Sequence, residues 1–110
     1  MEELESNVKV EYGIGSTFIT FNDKSILEEH QIKKLEDAIV PVINKNKNGE
    51  LYLSFQHVQF MSSSVLGLLV KIHKKVCELD GHLKLVNVNQ NIYKIFEITQ
   101  LTKIFDISVM

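Results

Sequence analysis

FMSSSVLGLL, residues 60–69, sets three consecutive serines between an apolar run with strand character and an apolar run with helix character. On its N-terminal side LYLSFQHVQF alternates Leu51, Leu53 and Phe55, the period of a strand with one face more apolar than the other. On its C-terminal side the pattern turns helical from Ser63 to Leu79, and Asp80 with Gly81 supplies a stop. A strand that feeds a helix leaves the first helical N–H groups in need of acceptors, and Ser is among the best N-cap residues, contributing about 1 kcal/mol. One serine suffices for that, so two hydroxyls remain to be explained. The start of a helix carries partial positive charge, and a phosphate attached there is well tolerated by the chain itself. Its added charge of about −1.5 to −2 would repel or obstruct an acidic or apolar partner docked over the same spot, which is the property of a switch.

Spacing residues about 100° apart around this helix gives it two functional sides. Val65, Leu68, Leu69, Ile72, Val76 and Leu79 form the core arc, with Leu66, Val70, His73 and Cys77 as an adjoining apolar shoulder. Lys71, Lys74, Lys75 and Glu78 hold the opposite side. The same geometry lines Ser63 up with Gly67, Val70 and Lys74, a plausible partner face: Gly67 permits close backbone approach, Val70 offers apolar area and Lys74 a charge. The plainer alternative is that a neighbouring helix covers Leu66 and Val70.

Outward from the junction, strands and helices alternate. Val8–Tyr12 and Thr17–Phe21, separated by GIGS, read as a hairpin. Ile32, Leu35, Ile39, Val42 and Ile43 form a helical stripe, begun by a Ser25/Glu28 capping box or by a later start near Glu29. Pro41 should kink that helix or loosen its last turn unless the helix ends there. NKNKNGE, residues 44–50, is the clearest loop, HLKLVNV at 82–88 is a further strand, and Asn89 or Asn91 caps a last helix carrying Ile92, Ile95, Phe96 and Ile98. This order predicts a sheet covered by helices, with at least one right-handed crossover.

The chain has 110 residues, 45% hydrophobic, with a net charge of −2, the size and composition of one domain over residues 1–110. Charges of both signs are mixed along it, so nothing attracts a phosphate backbone and no direct nucleic-acid contact is expected. The acidic start MEELESNVKV lacks the regions of a signal peptide, and no run is long enough to span a bilayer, so a cytoplasmic protein without membrane insertion is expected. Cys77 is the single cysteine, in keeping with a reducing compartment. His73 and Cys77 stand four residues apart, the spacing of a dyad or of two metal ligands, yet no third ligand or orienting acid matches them. His30, His57 and His82 are scattered, and GIG at Gly13–Gly15 lacks the rest of a dinucleotide fingerprint. No catalytic constellation, metal site or cofactor is expected.

With those residues in view, the chain resembles the STAS domain family, the sulfate-transporter and anti-sigma-factor-antagonist domains. Family members carry a pattern like D-L-S-x-V-x-F-M-D-S-S-G-L-G, then a G-G-x-L-x-L-V-N strand and an L-x-L-T-G-L-x-x-x-F tail. Val58, Phe60, Met61, Ser63, Ser64, Leu66 and Gly67 match the first block, Gly81, Leu83, Leu85, Val86 and Asn87 the second, and Phe96, Ile98, Thr99, Leu101 and Phe105 the third. The resemblance implies a single α/β domain, a four- or five-stranded mixed sheet with helices packed mainly on one face, and a binding role without catalysis. It further implies an anti-sigma factor antagonist whose partner is an anti-sigma factor that is also a serine kinase. Ser63 would be the phosphorylated serine, and Ser62 and Ser64 at the helix start would lie in the partner interface. Ser54 and Ser62 replace the two family aspartates and Val65 replaces a glycine, which takes an acceptor away from Ser63 and adds bulk beside it. Those replacements suit an alternative, an unphosphorylated scaffold or accessory subunit of another signalling or transporter complex, and homo-oligomerisation is open.

Overall fold

A computed structural model describes the backbone of residues 2–4 and the whole of residues 7–110. The expectation of an acidic start without a signal peptide falls in part on Met1, Glu5 and Ser6, which lie outside the described residues. Alternation governs the strands. In β2 (Val8–Gly13) and β3 (Ser16–Phe21), Val8, Val10, Ile19 and Phe21 are buried, Glu11 and Phe18 on the other face keep contact with solvent, and Thr20 on that other face is buried as well. The two form the expected hairpin, closed at Gly13 and Ser16, with Gly15 at φ 73 where only glycine turns without strain. A three-residue strand β1 (Glu2–Leu4) pairs antiparallel outside β2.

Helix α1 (Glu29–Lys45) takes the later of its two starts. Gln31 accepts from the N–H groups of Leu27 and Glu28 at 3.0 Å each, so the reciprocal box forms on Glu28 and Gln31, and Ser25 is left outside it. The helix runs four residues beyond Pro41, and that prolyl ring is exposed. Val42 and Ile43, buried just beyond it, hold the last turn on the core by packing.

The run 51–60 is not one strand. β5 (Glu50–Ser54) ends in a turn closed by the Val58 N–H on the Phe55 carbonyl at 3.0 Å, and the chain then pairs again as β6 (Phe60–Met61). β6 runs parallel to the equally short β4 (Ser25–Ile26), a pairing too brief to show as periodicity. Helix α2 (Ser64–Glu78), β7 (His82–Val88), α3 (Gln90–Ile98), a 3-10 turn (Leu101–Lys103) and β8 (Asp106–Val109) complete the chain. Five strands, β2, β3, β5, β7 and β8, form the expected mixed sheet in the order β2-β3-β5-β7-β8, with β1 as a short addition outside β2. Only the hairpin pairs and β1 are antiparallel. The buried stripes of α1 and α2 pack with Leu51, Leu53, Leu83 and Leu85 in a single core. No helix among the described residues is long and apolar enough to cross a membrane.

Candidate functional site

The three serines part company at the start of α2. Ser62 is still tied to the strand pair, its N–H donating to the Ile26 carbonyl at 2.9 Å. Its hydroxyl oxygen is buried and has no hydrogen-bond partner among the described residues. Ser63 and Ser64 are exposed. Ser63 occupies the N-cap position but with helical dihedrals, φ −62 and ψ −21, and its side chain makes no cap bond. A capping side chain reaches the N–H groups above it from an extended backbone, and Ser63 does not supply one. Backbone carbonyls close the turn in its place: Val65 donates to Ser62 at 3.1 Å and Leu66 to Ser63 at 3.0 Å. The expected serine cap is therefore absent, and the Ser63 hydroxyl is left for the solvent.

Along the face below the tip, Gly67 and Lys74 are exposed and Val70 is half-buried against the core. A Cβ built on Gly67 would meet nothing within 4 Å, so no internal packing demands a glycine there. A groove between α1 and α2 is lined by Ser64, Gly67 and Lys71 on one side and Glu29, Lys33 and Glu36 on the other. Lys71 pairs loosely with Glu36 at 3.8 Å across it. The apolar shoulder is covered unevenly, with Val70 and His73 half-buried and Cys77 exposed. Leu66 is 7% exposed, and His73 packs edge-on to Phe105 at 5.5 Å, which in turn meets Phe96 at 5.9 Å.

Two of the residues that depart from the family pattern, Ser54 and Val65, have structural duties. Ser54 is fully buried, and its hydroxyl accepts from the Asn87 side chain at 3.0 Å and from the Gln56 N–H at 3.3 Å. Val65 is 1% exposed and points into the core, so its bulk does not stand in a partner's way as expected. His73 and Cys77 approach to 3.8 Å, but among the described residues no group of three or more His, Cys, Asp or Glu is placed to hold a metal. Far from the tip, the Tyr52 phenol is raised above its ordinary value, first by its hydrogen bond to Glu50, then by desolvation and by the charges of Glu50 and Asp106.

What the tip offers is surface, a pair of exposed hydroxyls above a glycine and a lysine, and such equipment suits a module that meets another protein. Comparison with known proteins agrees and supplies the family. The chain belongs to the STAS domain family, matched over residues 8–109, and the anti-sigma factor antagonists it resembles are non-catalytic binding proteins. It is 28% identical to the anti-sigma-B factor antagonist of Bacillus subtilis (strain 168), over 93% of this chain and 92% of that one. Among solved structures, an anti-sigma-factor antagonist (STAS) domain protein from Planctomyces limnophilus superposes with a TM-score of 0.86 at 17% identity, covering 96% and 92% of the two chains. The Bacillus cell fate determinant SpoIIAA, solved in its phosphorylated form, gives 0.68 at 18% identity, covering 91% and 89%.

Proposed function

We propose that residues 1–110 form one cytoplasmic domain acting as an anti-sigma factor antagonist. It binds an anti-sigma factor with serine kinase activity through the start of α2, and phosphorylation of Ser63 releases it. The observation that carries this reading is the Ser63 hydroxyl: exposed, at a helix start, and not spent on capping. Ser64, Gly67 and Lys74 contribute the exposed contacts below it and Val70 its outer edge, while Ser62 contributes through its position, since its hydroxyl faces inward. A dianionic phosphate at Ser63 keeps the favourable end of the helix and places repulsion where the partner must sit. The likeness to the anti-sigma-B factor antagonist supports the partner class.

The test is affinity purification from the native cell with wild type, Ser63→Ala and Ser63→Asp. A kinase-class partner retained by the first two and lost with Asp supports the switch; a partner held equally by all three refutes it. Incubation with that kinase and ATP should place phosphate on Ser63. A second reading rests on Ser62, which brings no carboxylate to the neighbourhood of Ser63: the domain is then an unphosphorylated scaffold or accessory subunit of a signalling or transporter complex. Stable co-purification with such a complex, with no phosphate at residues 62–64, favours it.

A further inference from the structure

The main sheet ends in two open edges, β1 on one side and β8 on the other. At the β8 edge the Met110 N–H donates to the Val88 carbonyl at 2.9 Å, so by the alternation of a strand Asp106, Ser108 and Met110 turn their backbone groups toward β7. Ile107 and Val109 turn theirs outward, and among the described residues no loop or turn donates to them or accepts from them. Such a row of open groups is a template for another strand, and proteins blunt it with Lys, Pro or a bulge. β8 reads Asp-Ile-Ser-Val, without Lys or Pro, and the extra residue in its ladder lies in β7, between Leu85 and Val88. Val109 and Met110 at its end are 38% and 64% exposed.

We propose that β8 pairs antiparallel with β8 of a second copy of this chain, joining the two sheets edge to edge. A two-fold axis through Ser108 is the register that engages every outward group of the strand. Ile107 of each copy then exchanges both backbone bonds with Val109 of the other, and Ser108 faces Ser108 in the pair between them that shares no bond. An axis through Ile107 or Val109 engages only one of the two within β8. The side chains agree with the first register. Ile107 and Val109 lie on the helix face, in line with buried Leu85 and Val88, so both crossing pairs are apolar. On the open face Asp106 meets Met110 of the other copy, and the two Asp106 residues stand about 13 Å apart along the strands, beyond the screening length of about 8 Å in physiological salt. Within its own chain Asp106 lies 3.1 Å from His82 and in register with Lys84. The β1 edge gives the contrast: a two-fold about its middle residue sets Glu3 opposite Glu3, and pairing β1 with β8 adds Glu2 and Glu3 to the edge that holds Asp106 and closes no symmetric pair.

Pairing over a four-residue strand makes a small contact, so the dimer is weak and reversible. Each α2 start follows β5, two strands in from the shared edge, and because the paired β8 strands run oppositely the two tips point to opposite ends of the assembly. The proposal is independent of the antagonist reading, and it is tested on the full chain alone. Sedimentation velocity from about 1 μM to about 1 mM should show the mass rising from one chain to two. Over the same range amide exchange should slow at Ile107 and Val109, whose N–H groups are otherwise open. Val109→Pro removes an outward N–H that the folded chain does not use, so it should keep the circular dichroism of the fold and weaken association by about tenfold or more. Ser108→Lys sets like charges face to face at the axis and should weaken it likewise. In a Cys77→Ser background, Ser108→Cys should cross-link two chains under mild oxidation, because the Cα atoms of that facing pair stand about 4.5 Å apart, within reach of a disulfide.

A single-chain mass throughout the range overturns the proposal. So does a dimer that survives Ser108→Lys, whatever becomes of Val109→Pro, or a wild-type dimer whose Ser108→Cys variant does not cross-link. If the Ile107 and Val109 amides slow only on addition of an anti-sigma factor while the chain stays monomeric, the edge belongs to that occupant and the dimer is refuted. Ser63→Asp should leave self-association unchanged, so failure here and failure of the switch are separately visible.

Discussion

Ser62 and Gly67 each pay no visible return inside the molecule, and they do so for different reasons. The Ser62 hydroxyl has lost water without gaining a partner, a condition that costs about 1–3 kcal/mol for a buried polar group. Ser62→Ala should therefore leave the midpoint of urea unfolding unchanged or raise it, by up to about 1 kcal/mol in stability. A midpoint lowered by that much would mean the hydroxyl has a partner after all. Gly67 sits inside a helix with open space where a side chain would be, and glycine there costs up to about 1 kcal/mol relative to alanine. Gly67→Ala should stabilise the chain by roughly 0.5–1 kcal/mol and weaken the partner complex, as a surface approached closely by another backbone requires. Stabilisation without any loss of binding would remove Gly67 from the interface. The triple serine was visible in the sequence as a junction, but not the separate fates of its members. Those fates depend on the Ile26 carbonyl, about thirty-six residues away in sequence, which fixes the backbone of Ser62 before the helix begins.

Elements were legible in proportion to their length. The stripe of α1 needed only local periodicity, and Ile32, Leu35, Ile39, Val42 and Ile43 are all buried. The same holds for α2, whose arc from Val65 to Val76 is buried, with Leu79 half-exposed at its end. β4, β6 and β8 were missed because two to four residues carry no period, and each forms only where a neighbour supplies the ladder. Element ends can be tested where they rest on named contacts. After α2, Asp80 takes the left-handed conformation at φ 58, and the Gly81 N–H closes on the Val76 carbonyl at 2.9 Å. A Cβ on Gly81 would lie 2.8 Å from the Gly49 carbonyl oxygen, a backbone atom that cannot swing aside. Gly81→Ala should destabilise by about 1–3 kcal/mol in urea unfolding, the cost of overpacking a filled site. At the start of α3, Asn89 accepts from the Ile92 N–H at 2.9 Å and donates to the Val58 carbonyl at 3.0 Å. Asn89→Ala removes both the cap and that tie, so a loss of about 1–2 kcal/mol is expected, and Asn89→Asp should recover the cap alone.

At the scale of the whole molecule, the switch and the scaffold are separable because the core does not run through the tip. The alternation of apolar residues announced a sheet with one face covered, since burial of Leu51, Leu53, Leu83 and Leu85 beneath two helical stripes is a consequence of period alone. Side-chain order across strands, by contrast, depends on register, which no single segment contains: Glu11, Phe18, Tyr52 and Lys84 come into line on β2, β3, β5 and β7 only with the pairing. Close-packed interiors deform little, whereas a charge at an exposed helix start acts over about 8 Å in physiological salt. A phosphate on Ser63 should therefore change the surface and leave the fold as it is. Its interaction with the helix dipole stabilises by about 0.3–1 kcal/mol, with the near side of the α1 groove, where Glu29 lies, holding the gain toward the lower figure. Phosphorylated protein should thus melt at or slightly above the unmodified chain. Amide shifts should be confined to the start of α2, the β4–β6 pair and the N-terminal turn of α1. Shifts spreading through β5 and β7, or a lowered melting temperature, would show that partner release proceeds by loosening the domain and not by repulsion at its surface.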